Sequence, residues 1–138
     1  MEVEDLMKIT VIIPTYNDAQ SIRQSMLSLF QQTYKHWELI IVDDGSTDDT
    51  QAVVQTLIAE YPALAEQIQY LKQANQDQLT AILTALPHVT GDYIYILHSD
   101  DYIPAKTTFE QLQQAVQADP SYDAYIGNWL FYSARCDL

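Results

Sequence analysis

The chain has 138 residues, the size of one domain, and 48 % of them are apolar, enough to fill a core and to exclude general disorder. Six Lys and Arg stand against 19 Asp and Glu, a formal charge of −13. That balance excludes docking on a nucleic-acid backbone or on anionic lipid, both of which need clustered cations.

Residues 1–7 are acidic and are expected to fray. Lys8 to Ile13 is β-branched and almost continuously apolar, the pattern of a strand buried on both faces, and Pro14 closes it. Asn17 or Asp18 is placed to cap a helix that buries Ile22, Met26, Leu29 and Phe30. Trp37 to Val42 reads as a second buried strand, ending in Asp43-Asp44-Gly45-Ser46. Ser46 with Asp49 resembles a capping box for a helix marked by Val53, Val54, Leu57 and Ile58, which stops near Tyr61-Pro62. Ile68 to Leu71 is a short strand, and Leu79, Ile82, Leu83 and Leu86 mark a third helix ending before Pro87. Asp92 to Leu97 is a fourth strand, followed by His98-Ser99-Asp100-Asp101. Phe109, Leu112, Ala115 and Val116 mark a helix closed by Asp119-Pro120, and Tyr122 to Phe131 reads as a last strand. Alternating strands and helices predict one α/β domain over residues 1–138, with a mainly parallel, Rossmann-like sheet and helices on both faces.

Glycine and cysteine narrow the chemistry. With three glycines, Gly45, Gly91 and Gly127, the chain has no GxGxxG and no Walker loop. A metal ion is then the expected means of bringing phosphate to so acidic a surface. The lone Cys136 excludes an internal disulfide and a cysteine zinc site, and a reducing, cytoplasmic setting is expected. The first apolar run is too short for a leader and no run reaches a membrane span.

Three strands end in polar clusters: Pro14-Thr15-Tyr16-Asn17, Asp43 to Ser46, and His98 to Asp101. Ligands of open parallel sheets bind beyond the carboxyl ends of the strands, so neighbouring strands would bring the clusters into one crevice. Two readings of Asp43-Asp44 stand, a turn with a helix cap or acceptors for a base or ribose. Ser99-Asp100-Asp101 is likewise either a loop before a helix or a partial oxygen shell for Mg²⁺ or Mn²⁺, completed by substrate phosphate and water. Tyr16 either packs at the strand end or offers its ring to a planar ligand. His98 reads more simply as a satisfied polar residue than as a ligand or base. Asn75 to Gln78 either cap the third helix or reach the crevice.

Val11-Ile-Ile-Pro-Thr-Tyr-Asn17, Ser28-Leu-Phe-Gln-Gln-Thr-Tyr34, Trp37 to Asp48, and Gly91 to Asp101 with Pro104 together resemble the family-2 glycosyltransferases of the GT-A fold. The match runs from about Lys8 to Pro104. The resemblance implies a nucleotide-diphospho-sugar site, most often UDP-linked. Pro14, Thr15 and Tyr16 would lie against the base, Asp44 would bond base or ribose, Ser99 would flank the diphosphate, and Asp100 would ligate Mn²⁺ or Mg²⁺ as the last acid of a DxD-like motif. It further implies metal-dependent transfer of the sugar, with inversion, to an acceptor hydroxyl on a glycan, lipid or protein. The chain departs from the family pattern at His98, Gln76, Asp77 and Leu83, and has no Arg near Gln78.

The family's catalytic base lies in an acceptor half beyond Leu138, and Asp119, Asp123 and Asp137 match no motif for it. The chain is therefore expected to be a truncated, donor-binding portion with little transfer activity of its own, and its exposed edge could pair in a homodimer. A non-catalytic nucleotide-binding or interaction module is the alternative. A nucleotidyltransferase, which holds triphosphate with a Gly-rich loop, fits less well.

Overall fold

The computed structural model describes residues 6–125. Its elements run β1 (Ile9–Thr15), α1 (Ile22–Phe30), β2 (Trp37–Asp43), α2 (Thr50–Glu60), a 3₁₀ segment (Pro62–Gln67), β3 (Ile68–Lys72), α3 (Gln78–Ala85), a 3₁₀ turn (Leu86–His88), β4 (Tyr93–Ile96) and α4 (Thr108–Ala118). The four strands form one sheet in the order β3-β2-β1-β4, and every pairing is parallel. The α/β fold with a parallel sheet is thus as the sequence predicts. Of the expected last strand, Tyr122 to Phe131, residues 122–125 are irregular and the remainder, like Cys136 and Asp137, lies outside the described residues.

The period-2 alternation of β1 and β2 sorts the core into two layers. Val11, Ile13, Leu39 and Ile41 face α1, α2 and α4, where Met26, Leu29, Leu57 and Phe109 join them. Ile12, Ile40 and Val42 face α3 and meet Ala81 and Ala85. Both strands are buried along their whole length, which explains why they read as almost continuous apolar runs. Phe30 stacks on Trp37 with ring centroids 6.0 Å apart, so Trp37 belongs to the core.

Three local expectations are corrected. The cap of α1 is Ser21, not Asn17 or Asp18. Asp18 starts the turn through its main-chain carbonyl, which accepts from Ser21 and Ile22 N–H at 3.1 and 3.0 Å. No Ser46–Asp49 capping box forms, because Ser46 Oγ accepts from Asn17 N–H at 2.9 Å and Asp48 Oδ1 takes Thr50 N–H at 3.0 Å. Finally, α3 turns its leucines outward. Leu79 is 65 % exposed and Leu83 53 %, while Ala81 and Ala85 are buried. Alanines four apart let the helix approach Ile12 and Ile40 closely, which leucines there would prevent.

The amino end of the sheet holds a buried carboxylate. Glu38 accepts from Thr10 Oγ1 at 2.6 Å, Thr90 N–H at 2.7 Å and Thr90 Oγ1 at 2.8 Å, with Lys8 Nζ at 3.1 Å. Burial works against its charge, but the donors win and hold its carboxyl at about 2. Gly91 belongs to this knot: its N–H donates to Thr10 Oγ1 at 2.9 Å, and a Cβ there would come within 2.7 Å of Thr10 N.

A folded-state carboxyl depressed below its unfolded value, about 4.3, stabilises the fold above that value. The contribution is lost as pH falls through about 2. Glu38→Gln should therefore cost about 1–3 kcal/mol at neutral pH. The gap to the unaltered chain should shrink as pH falls below about 4. Urea unfolding at a series of pH values measures it, and a gap that does not vary with pH contradicts this role.

Candidate functional site

The sheet places the crevice. From β1 the chain moves outward to β2 and β3, then returns to the other side of β1 as β4. Beyond the carboxyl ends of the strands on either side of that reversal lies a crevice of about 220 Å³. Pro14, Thr15, Tyr16, Asp44, Ser99 and Asp100 all line it, so the residues singled out from the three polar clusters meet in one place. Asp18, Gln78, Ala81 and His98 complete the lining.

The loops are stitched together by their own polar groups. Asn17, at φ +52°, sits in the left-handed region that Asn tolerates. Its Oδ1 accepts from the N–H groups of Thr47 and Asp48 at 2.8 and 3.2 Å, which ties the end of β1 to the loop after β2. On the other side, Ser99 Oγ donates to Asp18 Oδ2, joining the β1 loop to the β4 loop. Gly45, at φ +81°, lies so close to Asn75 that a Cβ would come within 2.9 Å of its amide nitrogen.

The two acids after β2 have separate tasks. Asp43 is fully buried. It accepts from Ser46 N–H at 2.8 Å through Oδ1 and from the Tyr70 hydroxyl through Oδ2. Burial and then this bond push the Tyr70 phenol well above its ordinary range. Asp43 is thus the turn residue of the structural reading. Asp44 is 6 % exposed and reaches the crevice. Its Oδ1 accepts from Gln73 Nε2 and from Gln76 N–H, both at 2.8 Å. Its Oδ2 has only a 3.4 Å contact from Asn75 Nδ2, which leaves acceptor capacity on that oxygen. Gln73 is itself oriented by Thr84 Oγ1, which donates to its Oε1 at 2.6 Å.

The turn after β4 is held from below by α1. Asp101 N–H donates to the His98 carbonyl at 3.0 Å, closing a turn over His98 to Asp101. The buried Ser25 Oγ lies against the carbonyls of His98, Ser99 and Asp101, the first two at 3.3 and 3.0 Å. One turn on, Ser28 Oγ accepts from Ile103 N–H at 2.9 Å. Gln32, fully buried, donates to the Ala105 carbonyl at 2.8 Å and accepts from Phe109 N–H at 3.0 Å. Ser25 and Ser28 on α1, with Gln32 just past its end, thus fix residues 98–109 beneath the crevice.

Of the residues weighed for the β3–α3 connection, Asp77 caps α3 by accepting Thr80 N–H at 2.7 Å. Asn75 and Gln76 serve Asp44, and Gln78 enters the crevice. His98 has a polar partner, as expected, since its Nδ1 is bonded by the Gln78 amide, and it also lines the crevice. Asp18 was read only as a cap. Its position immediately after the Pro14–Asn17 cluster was the available signal.

Two observations mark where a ligand is wanted. Thr15 Oγ1 is buried with no hydrogen-bond partner among the described residues, an arrangement that costs about 1–3 kcal/mol while it lasts. Asp100 is exposed, and no described residue bonds its carboxylate. For a divalent cation, Asp100 offers a hard oxygen, which suits Mg²⁺ or Mn²⁺. Among the described residues no three His, Cys, Asp or Glu side chains converge as a ligand set. Asp100 alone would give such an ion one ligand, leaving the rest of the shell to other oxygens.

These environments predict unequal stability effects. Asp43→Ala strands the Tyr70 hydroxyl and the Ser46 amide and should cost about 2 kcal/mol. Asp100→Ala should change stability by no more than about 0.5 kcal/mol. Equal losses in urea unfolding would contradict a non-structural Asp100.

Comparison with known proteins agrees with this geometry. The family model described as glycosyl transferase family 2 matches residues 10–136. Among curated relatives, the glycosyltransferase GlyA of Streptococcus pneumoniae is 37 % identical over 103 residues, covering 75 % of this chain and 14 % of that protein. The undecaprenyl-phosphate 4-deoxy-4-formamido-L-arabinose transferase of Sodalis glossinidius is 33 % identical over 113 residues, covering 80 % of this chain and 34 % of that protein. Among solved structures, the Pyrobaculum calidifontis mannosyltransferase PcManGT, in complex with GDP-Man and Mn²⁺, superposes with a TM-score of 0.77 at 30 % identity, covering 83 % of this chain and 33 % of that one. TarS of S. aureus in complex with UDP-GlcNAc gives 0.70 at 28 % identity, covering 81 % and 32 %. The chain thus spans about a third of the length of these structures. With the strand reversal, the crevice and the family match together, the chain belongs to glycosyl transferase family 2, with the fold of the GT-A glycosyltransferases.

Proposed function

We propose that this chain binds the nucleotide-diphospho-sugar donor of a metal-dependent, inverting glycosyltransferase, with a UDP-linked sugar as donor. The observation that carries the reading is the meeting of Thr15, Tyr16, Asp44, Ser99 and Asp100 at one strand reversal. The complexes of similar proteins with GDP-Man and Mn²⁺ and with UDP-GlcNAc support the ligand class.

Each residue takes a task from its position. Tyr16, 47 % exposed at the mouth, offers its ring to the base, with Pro14 and Thr15 beside it. Asp44 Oδ2 takes an N–H of the base or a ribose hydroxyl, since an ionised carboxylate only accepts. Uracil offers such a donor in its N3–H. Ser99 keeps Asp18 in place, and Asp100 holds the cation. A divalent ion bound there would act as a Lewis acid on the leaving diphosphate. The chain's own part is to hold the donor by its nucleotide end, so that the anomeric carbon faces the acceptor. The acceptor is a hydroxyl on a glycan, lipid or protein. No residue of this chain is assigned as the base that takes its proton.

Calorimetric titration with UDP, with and without Mn²⁺, tests the reading. Binding should require Mn²⁺ and should weaken about tenfold or more in Asp100→Ala, the loss of one charged contact. Metal-independent binding, or none, contradicts it.

A further inference from the structure

The crevice presents an electrostatic difficulty. Asp18, Asp44 and Asp100 line it, and among the described residues no Lys or Arg does. A diphosphate adds more negative charge, and one cation at Asp100 leaves the phosphate oxygens turned away from it in need of donors.

His98 supplies one. Its Nδ1 is bonded by the side-chain amide nitrogen of Gln78, at the start of α3. An amide nitrogen donates and does not accept, so Nδ1 accepts. A neutral imidazole whose Nδ1 accepts carries its proton on Nε2, and that N–H is the remaining donor of a side chain that lines the crevice. The ring is on a fixed frame, because the turn over His98 to Asp101 is closed by its own hydrogen bond and seated on Ser25. The same turn carries Asp100, so the donor and the cation-holding carboxylate are offered together.

We propose that His98 is a phosphate-binding residue: its Nε2–H, held in that tautomer by Gln78, donates to a phosphate oxygen of the bound nucleotide. The assignment rests on the nucleotide reading above. A carboxylate at this position would do the reverse, accepting hydrogen bonds and adding a fourth negative charge to the crevice. Gln78 is then a positioning residue, acting on the ligand through the ring.

The test has two arms on the full chain. In the first, UDP with Mn²⁺, and uridine alone, are titrated into the unaltered chain, His98→Ala and His98→Gln. Loss of the donor in His98→Ala should weaken UDP about tenfold and leave uridine unchanged. His98→Gln, whose amide places an N–H near the position of Nε2, should recover most of the loss. In the second arm, nitrogen NMR of the imidazoles at mildly alkaline pH, assigned by the signal missing from His98→Gln, should show the Nε2–H tautomer. Gln78→Leu should mix the two tautomers. Equal loss for uridine and UDP, unchanged UDP affinity in His98→Ala, or an Nδ1–H ring overturns the role of His98 while leaving the nucleotide reading intact. Failure of the unaltered chain to bind UDP overturns both.

Discussion

The return of the chain across β1 is the constraint on which the rest depends. Had β4 been laid beside β3, its turn would stand three strands from the end of β1. By pairing β4 with β1 at Ile9–Tyr93 through Ile12–Ile96, the sheet puts the β4 turn next to Thr15, with Asp44 on the other side. A parallel sheet needs a crossover for each such step, and the crossovers cover both faces. The crevice at the reversal is left open because the connections diverge there. Two strands buried along their whole length in the middle make that arrangement stable, since neither can be moved to an edge without exposing what it now buries.

Around this frame the protein treats its acids in graded fashion. Glu38 and Asp43 are buried and surrounded by donors, so their charge holds the fold. Asp44 is half committed, one oxygen taken by the β3–α3 connection and the other left over. Asp100 has no described partner at all. Saturation thus falls from the core to the mouth of the crevice, and residual acceptor capacity rises in the same order. Free capacity is what a ligand uses, because an acceptor already satisfied gains little from a new donor.

Much of this was legible in the sequence. Val11 to Ile13 and Leu39 to Val42 announce central strands, and the acids that interrupt them mark the strand ends where ligands bind. The outward face of α3 was not legible. Leu79, Leu83 and Leu86 carry the stronger hydrophobic signal, but close packing on Ile12 and Ile40 selected the alanines. The support under the β4 turn was hidden for a different reason. Ser25 and Gln32 look like ordinary helix surface, and their partners are carbonyls 74 and 73 residues away. A main-chain acceptor leaves no residue pattern to read, so such contacts emerge only when the fold is known. The partner of His98 was likewise hidden, because nothing local in the sequence shows that Gln78 meets its ring.

The central claim is that three strand-end turns, far apart in the chain, form one nucleotide site. Amide NMR of the chain during addition of UDP with Mg²⁺ tests it most directly. The N–H signals of Thr15 and Tyr16, of Asp44 with Gln76, and of Ser99 with Asp100 should shift together along one saturation curve. Shifts confined to a single turn, or gathered elsewhere on the surface, would contradict it.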